Sequence, residues 1–115
     1  MTSDDDTSDD RGLLRLARQD SGDSVTLDVS GEVDMSNAAE LEAALDDAVE
    51  AAGPRLVVDL RGLEFIDSTG LRSLVRFHQR NQTETEIVYR NARGQVAEVL
   101  EITGLGAVLE LGDES

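Results

Sequence analysis

Apolar and polar residues alternate in the first part of the chain, and this alternation predicts a β-hairpin. The stretch 25–30, Val-Thr-Leu-Asp-Val-Ser, has the two-residue period of a strand with one buried face. A shorter leucine-rich stretch at 13–16 precedes it, and the turn-forming sequence Asp-Ser-Gly-Asp lies between them at 20–23. Two such strands separated by a turn are typical of a hairpin.

After the hairpin, the apolar spacing changes to that of helices separated by short strands. It predicts helices over 36–52, over a segment whose apolar face is Leu71, Leu74, Val75 and His78, and over 95–103. Strands are predicted at 56–60, covered on both faces, at 87–89 and around 108–111. This order predicts an α/β fold in which a small mixed β-sheet begins with the N-terminal hairpin and continues with alternating helices and strands.

The ends of the predicted helices carry recognisable signals. Asn37 followed by Glu40 resembles a capping box at the start of the first helix. Asp67, Ser68 and Thr69 stand at the start of the second, where a hydroxyl commonly caps the free backbone N–H groups. On local chemistry alone, a capping role for Ser68 is favoured over a role as a phosphate acceptor.

The chain of 115 residues predicts one domain at 12–112, preceded by a disordered acidic tail at 1–11 that holds five Asp. All 10 basic residues are Arg against 25 acidic residues, and the net charge of −15 argues against binding to nucleic acid or to an anionic membrane. The absence of Cys and the single His78 argue against metal–thiolate sites and nucleophilic triads. We therefore expect a cytoplasmic binding module that is not an enzyme and needs no cofactor or metal.

Three segments resemble the STAS domain family of anti-sigma factor antagonists. They are Gly-Glu-Val-Asp at 31–34, Leu-Val-Val-Asp-Leu at 56–60 and, above all, Phe-Ile-Asp-Ser-Thr-Gly-Leu at 65–71. The resemblance runs from about Leu13 to Leu111 and implies the STAS fold. It reverses the interpretation of Ser68, because the family's phosphorylated serine directly follows the Asp of this signature.

The resemblance implies partner switching in the control of sigma-factor-dependent transcription. The unmodified domain would bind an anti-sigma factor that is a serine kinase of the histidine-kinase-like ATPase fold, and this would free the sigma factor. Phosphorylation of Ser68 would end the complex, and a serine phosphatase would restore it. The partner-binding residues implied or inferred beside Ser68 are Glu32, Asp34, Asp67, Thr69, Gly70 and Arg72.

Arg72 departs from the family pattern, in which Gly is often found at this position. With Arg76 and Arg80 it forms a basic stripe at four-residue spacing, which is either an ordinary solvated face or a contact for an acidic partner or for phosphate on Ser68. Two alternative functions stay open: a STAS subunit of a transporter or signalling assembly, and a nucleotide-binding STAS domain. Neighbouring genes for a kinase and a sigma factor would favour partner switching over these two alternatives.

Overall fold

The order of helices and strands follows the sequence prediction. The computed structural model describes residues 13–81, 84–104 and 109–110, so the acidic tail predicted at 1–11 lies outside the described residues. The elements are β1 (Leu14–Ser21), β2 (Ser24–Val33), α1 (Ala38–Ala52), β3 (Arg55–Ile66), α2 (Ser68–Asn81), β4 (Glu86–Arg90), α3 (Gly94–Ile102) and β5 (Leu109–Glu110).

A five-stranded mixed sheet with the order β1-β2-β3-β4-β5 forms the centre of the fold. The hairpin strands β1 and β2 are antiparallel, and Gly22 adopts a left-handed φ of 61° in the turn between them. From β2 onwards each strand is parallel to the previous one. The connections between the parallel strands contain α1, α2 and α3, so the predicted α/β fold with a mixed sheet is confirmed.

The three helices share one hydrophobic core with one face of the sheet. This core contains the alternate residues of β2 together with apolar residues of each helix, namely Val25, Leu27, Val29, Leu41, Leu45, Leu74, Phe77, Val96 and Leu100. The prediction that 56–60 is covered on both faces holds for Val57, which is buried, but not for Asp59. Asp59 is half-buried beside Asp28 and lines a polar groove on the opposite face.

The buried face of α2 is rotated relative to the predicted one. Leu74 and His78 are buried as predicted, but Leu71 and Val75 are only half-buried, and the fully buried Phe77 takes a central place. Helix α2 packs against α1 as well as the sheet, and this second contact shifts its buried face from the one that the apolar spacing predicts. Nδ1 of His78 lies 3.0 Å from the hydroxyl oxygen of Tyr89. Burial lowers the pKa of His78, which favours the neutral ring.

Two residues of the predicted basic stripe connect α2 to α1. Arg76 donates to Glu42 Oε1 at 2.6 Å, and Arg80 donates to Glu42 Oε2 at 2.7 Å and to Asp46 at 2.7 Å and 2.9 Å. Hydrogen bonds from both guanidinium groups lower the pKa of Glu42 from 4.5 to about 2. Arg76 and Arg80 are exposed and form ion pairs within the domain, which agrees with the interpretation of the stripe as a solvated face.

We expect Glu42→Gln to lower the free energy of unfolding by about 1 kcal/mol at pH 7 and low salt, because both guanidinium groups lose their shared carboxylate. Since folding lowers the pKa of Glu42 from 4.5 to about 2, this stabilisation is complete above pH 4.5 and is lost as the pH falls towards 2. Urea unfolding at several pH values measures the difference. Glu50→Gln removes the same charge from an exposed position of α1 and is the control; an equal loss in both variants would contradict the prediction.

Candidate functional site

Parallel pairing of β2 with β3 brings together two of the three signature segments of the sequence, 31–34 and 65–71. Glu32 pairs with Phe65 and Val33 with Ile66, so the carboxyl ends of both strands lie at one edge of the sheet. The Asp67 backbone N–H then donates to the Val33 carbonyl at 3.0 Å, one residue beyond the last strand pair. We call this region, residues 32–37 and 64–72, the Ser68 edge.

Asp67, not Ser68, caps helix α2. Its Oδ1 accepts a hydrogen bond from the Gly70 N–H at 2.9 Å, and its carbonyl accepts the first helical bond from the Leu71 N–H at 2.8 Å. The prediction that favoured Ser68 as the cap on local chemistry is wrong, because the preceding carboxylate already satisfies this N–H. Ser68 is the first helical residue, its side chain is exposed, and its hydroxyl has no hydrogen-bond partner among the described residues.

Gly70 lets the first turn of α2 approach the ends of β2 and β3. It is buried, and a Cβ at this position would lie 2.4 Å from Val33 Cγ1 and 2.9 Å from Ile66 Cγ1. Such contacts are too short for carbon atoms, so only glycine fits without a shift of the surrounding side chains. Thr69, beside it, is half-buried. These two residues shape the segment that presents Ser68.

The loop between β2 and α1 is held by side chains that bond to its own backbone. Asp34 Oδ1 accepts from the Ser36 N–H at 2.9 Å and from the Ser36 hydroxyl at 2.6 Å, and these bonds lower the pKa of Asp34. Asn37 accepts from the Asp34 N–H at 2.9 Å and donates to the Glu32 carbonyl at 3.0 Å. The expected capping box at Asn37 is wrong: its side chain points back to the strand and makes no cap hydrogen bond.

Gln95 of α3 contacts the Ser68 edge, and the sequence prediction missed it. Its Oε1 accepts from the Ile66 N–H at 3.1 Å, and its Nε2 donates to the Ile66 carbonyl at 2.9 Å. A polar residue near the start of a helix has no spacing pattern that would predict such a contact. Ile66, which Gln95 contacts, lies 29 residues away in the chain. Both backbone groups of Ile66 are thus bonded immediately before Asp67 and Ser68.

The exposed part of the Ser68 edge combines one cation with apolar side chains. Arg72 is exposed and has no ion-pair partner among the described residues. Met35 is 77% exposed and Phe65 is 42% exposed, which is unusual for large apolar side chains. Glu32 and Asp34 are half-buried at the same edge. Met35 was not predicted as a site residue from the sequence. The signal that could have identified it is a large apolar residue within a turn.

Metal-ligating side chains do not gather at this edge. Throughout residues 13–81, 84–104 and 109–110, no three His, Cys, Asp or Glu side chains are grouped so as to hold a metal ion. No helix within those residues has the length and apolar character needed to cross a membrane. The arrangement therefore offers an exposed hydroxyl on a firmly held backbone, flanked by groups suited to contact with another protein.

Comparison with known proteins identifies the family. The family model described as "Mlab, STAS domain" matches residues 16–111. The chain is 31% identical over 90 residues to the anti-sigma-B factor antagonist of Listeria monocytogenes, covering 77% of this chain and 79% of that protein. The chain belongs to the STAS family of anti-sigma factor antagonists. This STAS domain is also 35% identical over 86 residues to BtrV of Bordetella bronchiseptica, covering 74% of each protein.

Solved STAS structures have the same fold. An anti-sigma factor antagonist from Mycobacterium paratuberculosis, 31% identical, superposes with a TM-score of 0.75 over 86% of both chains. The anti-sigma factor antagonist SpoIIAA in its unphosphorylated form gives a TM-score of 0.66 at 19% identity, covering 84% of this chain and 85% of that one. The resemblance stated from the 65–71 signature is therefore confirmed at the level of family and fold.

We expect Gly70→Ala to destabilise this STAS domain by about 1–3 kcal/mol, because the added methyl group overpacks the contact with Val33 and Ile66. The sign makes the test sharp, since Gly to Ala inside a helix ordinarily stabilises by roughly 0.5–1 kcal/mol. Thermal and urea unfolding measure the change. A neutral or stabilising result would show that α2 does not approach the strand ends this closely.

Proposed function

We propose that this STAS protein binds an anti-sigma factor serine kinase of the histidine-kinase-like ATPase fold through the Ser68 edge. Phosphorylation of Ser68 ends the complex, and a serine phosphatase restores the binding form. The observation that carries the proposal is the exposed Ser68 hydroxyl at the first residue of α2, where Asp67 already supplies the cap. The hydroxyl is not needed by the fold, so it is available for modification.

Named relatives support the role of an anti-sigma factor antagonist. The proteins from Listeria monocytogenes and Mycobacterium paratuberculosis carry that description and are each 31% identical to this chain. SpoIIAA, which shares the fold, exists in both an unphosphorylated and a phosphorylated form. We carry the modification over to Ser68 because it directly follows Asp67 in the 65–71 signature.

The start of a helix is a favourable place for a phosphate. The group adds roughly −1.5 to −2 charges at neutral pH, and the N-terminal N–H groups and helix dipole of α2 stabilise negative charge there. The backbone of the segment is bonded at Ile66, Asp67 and Gly70, and none of these bonds uses the Ser68 side chain. Phosphorylation therefore changes what the surface presents without requiring the domain to unfold.

Release of the partner follows from the same charge. A phosphate within a packed interface must lose its hydration, and this costs free energy unless the partner offers matching donors. A kinase that holds a nucleotide beside Ser68 presents like charge instead. We assign Glu32, Asp34 and Arg72 to direct contacts with the kinase, while Asp67, Thr69 and Gly70 shape the loop that enters its active site.

The proposal is tested on Ser68 itself. The kinase is first recovered on the immobilised full-length chain from native lysate, identified by mass spectrometry and purified. With this kinase and Mg-ATP, we expect phosphopeptide mapping to place the phosphate on Ser68. Ser68→Ala should bind and stay bound when ATP is added, and Ser68→Asp should bind at least roughly tenfold more weakly, since like charge at an interface costs several kcal/mol.

Thr69→Val is the matched control, because it removes the neighbouring hydroxyl and keeps the side-chain shape. Because Thr69 helps to shape the segment, the rate can change, but the phosphate should still be found on Ser68. Phosphate on Thr69 alone, or a Ser68→Asp variant that binds like the wild type, would overturn the proposal. Recovery of transporter subunits and no kinase would favour the alternative of a transporter-associated STAS subunit.

Arg72 allows a finer prediction about phosphorylated Ser68. It follows Ser68 by four residues on α2, so its guanidinium is within reach of a phosphate on that residue. We expect Arg72→Gln to raise the second pKa of phosphoserine by roughly 0.2–0.5 of a pH unit at low salt, and by less at high salt. Phosphorus NMR across pH 5–8 measures this. The control is Arg61→Gln, which removes an equal charge from an exposed position of β3. Identical titrations of the two variants would mean that the Arg72 side chain points away from the phosphate.

A further inference from the structure

Strand β3 extends well beyond its pairing with β4. On the β2 side its pairing continues to Ile66, opposite Val33. On the β4 side the last pair is Asp59 with Arg90, and β4 ends there. Within residues 13–81, 84–104 and 109–110, the final residues of β3, which lead directly into Asp67 and Ser68, therefore have no neighbouring strand on that side. An unpaired strand end ordinarily opens more readily than a paired one.

Gln95 supplies the missing partner at the last residue of β3. Its side-chain amide has the same donor and acceptor as a backbone peptide group, and it uses both on Ile66: Oε1 accepts from the N–H at 3.1 Å and Nε2 donates to the carbonyl at 2.9 Å. The amide is itself firmly placed, because Val96 and Leu100 of the same helix are fully buried in the core. The side chain of Ile66 is only 1% exposed.

We propose that Gln95 is the positioning residue for Ser68: from α3 it fixes the backbone that aims the Ser68 hydroxyl at the kinase. Its effect on phosphorylation rests on the function proposed above. Val33 holds the segment from one side through the Asp67 N–H, and Gln95 holds it from the other side through Ile66. Phosphoryl transfer depends on close alignment of the attacking oxygen, so a loosened backbone slows the transfer step more than it weakens docking.

The first test measures the backbone and needs no partner. Gln95→Met keeps the side-chain length and removes both hydrogen bonds, whereas Gln95→Glu keeps the acceptor for the Ile66 N–H but turns a second acceptor, a carboxylate oxygen, towards the Ile66 carbonyl. Amide hydrogen exchange is read at Asp67 and Gly70, whose own bonds go to the Val33 carbonyl and the Asp67 carboxylate. We expect roughly tenfold or faster exchange in Gln95→Met and also in Gln95→Glu, because each variant leaves the Ile66 carbonyl without its donor.

Val99→Ala is the control for general destabilisation, because Val99 lies on the same helix and packs against the core, and its side chain has no hydrogen-bonding group to lose. Exchange is compared at equal global stability, set with urea. Unchanged rates at Asp67 and Gly70 in Gln95→Met, or an equal increase in Val99→Ala, would overturn the proposal.

The second test uses the purified kinase with Mg-ATP and follows phosphate incorporation at Ser68. We expect Gln95→Met to lower kcat about tenfold while KM changes less than about threefold, with kcat lowered in Gln95→Glu as well and unchanged in Val99→Ala. A wild-type kcat in Gln95→Met would overturn the positioning role. A wild-type chain that the kinase does not phosphorylate would instead count against the proposed function, and the exchange result would then decide the backbone role of Gln95.

Discussion

The hydrogen bond from the Asp67 N–H to the carbonyl of Val33, the last residue of β2, extends the pairing of the two strands one residue beyond the end of β3. It places the start of α2 against the end of β2, and Gly70 makes this approach possible because a side chain there would collide with Val33 and Ile66. The same closeness brings the two signature segments, 31–34 and 65–71, to one edge of the sheet. Without it, Ser68 and the loop before α1 would not form one surface.

The structure separates what supports the fold from what is presented to a partner. The cap of α2 comes from Asp67, and the last residue of β3 is bonded by Gln95. Farther along α2, Arg76 and Arg80 bind carboxylates of α1. The groups left at the surface are Ser68, Arg72 and the exposed apolar side chains, and all of these can change or be covered without loss of an internal bond. The phosphorylation proposed at Ser68 would therefore act on recognition, since the added charge would meet solvent and partner rather than the core.

The sequence predicts the order of elements well, because periods of two and of three to four residues mark strands and helices independently of tertiary contacts. It predicts caps and faces less well. Ser68 and Asp67 are both good cap residues, and only the structure shows which of them bonds to Gly70. The burial of Phe77 and the pairing of Arg76 with Glu42 depend on how α2 lies on α1. Gln95 bonds to Ile66 across 29 residues, and no local pattern records such a contact.

Phosphate on Ser68, as proposed, changes a surface on a domain that keeps its fold. Comparison of backbone amide spectra of the unmodified and the Ser68-phosphorylated protein, at equal pH and salt, tests this most directly. Chemical-shift changes should be confined to residues 32–37 and 64–72 and to Gln95, with the amides of β1, β4 and the middle of α1 unchanged. Shift changes throughout the sheet and α1, or loss of dispersed signals, would show that phosphorylation acts by unfolding or rearranging the domain, and would contradict the claim.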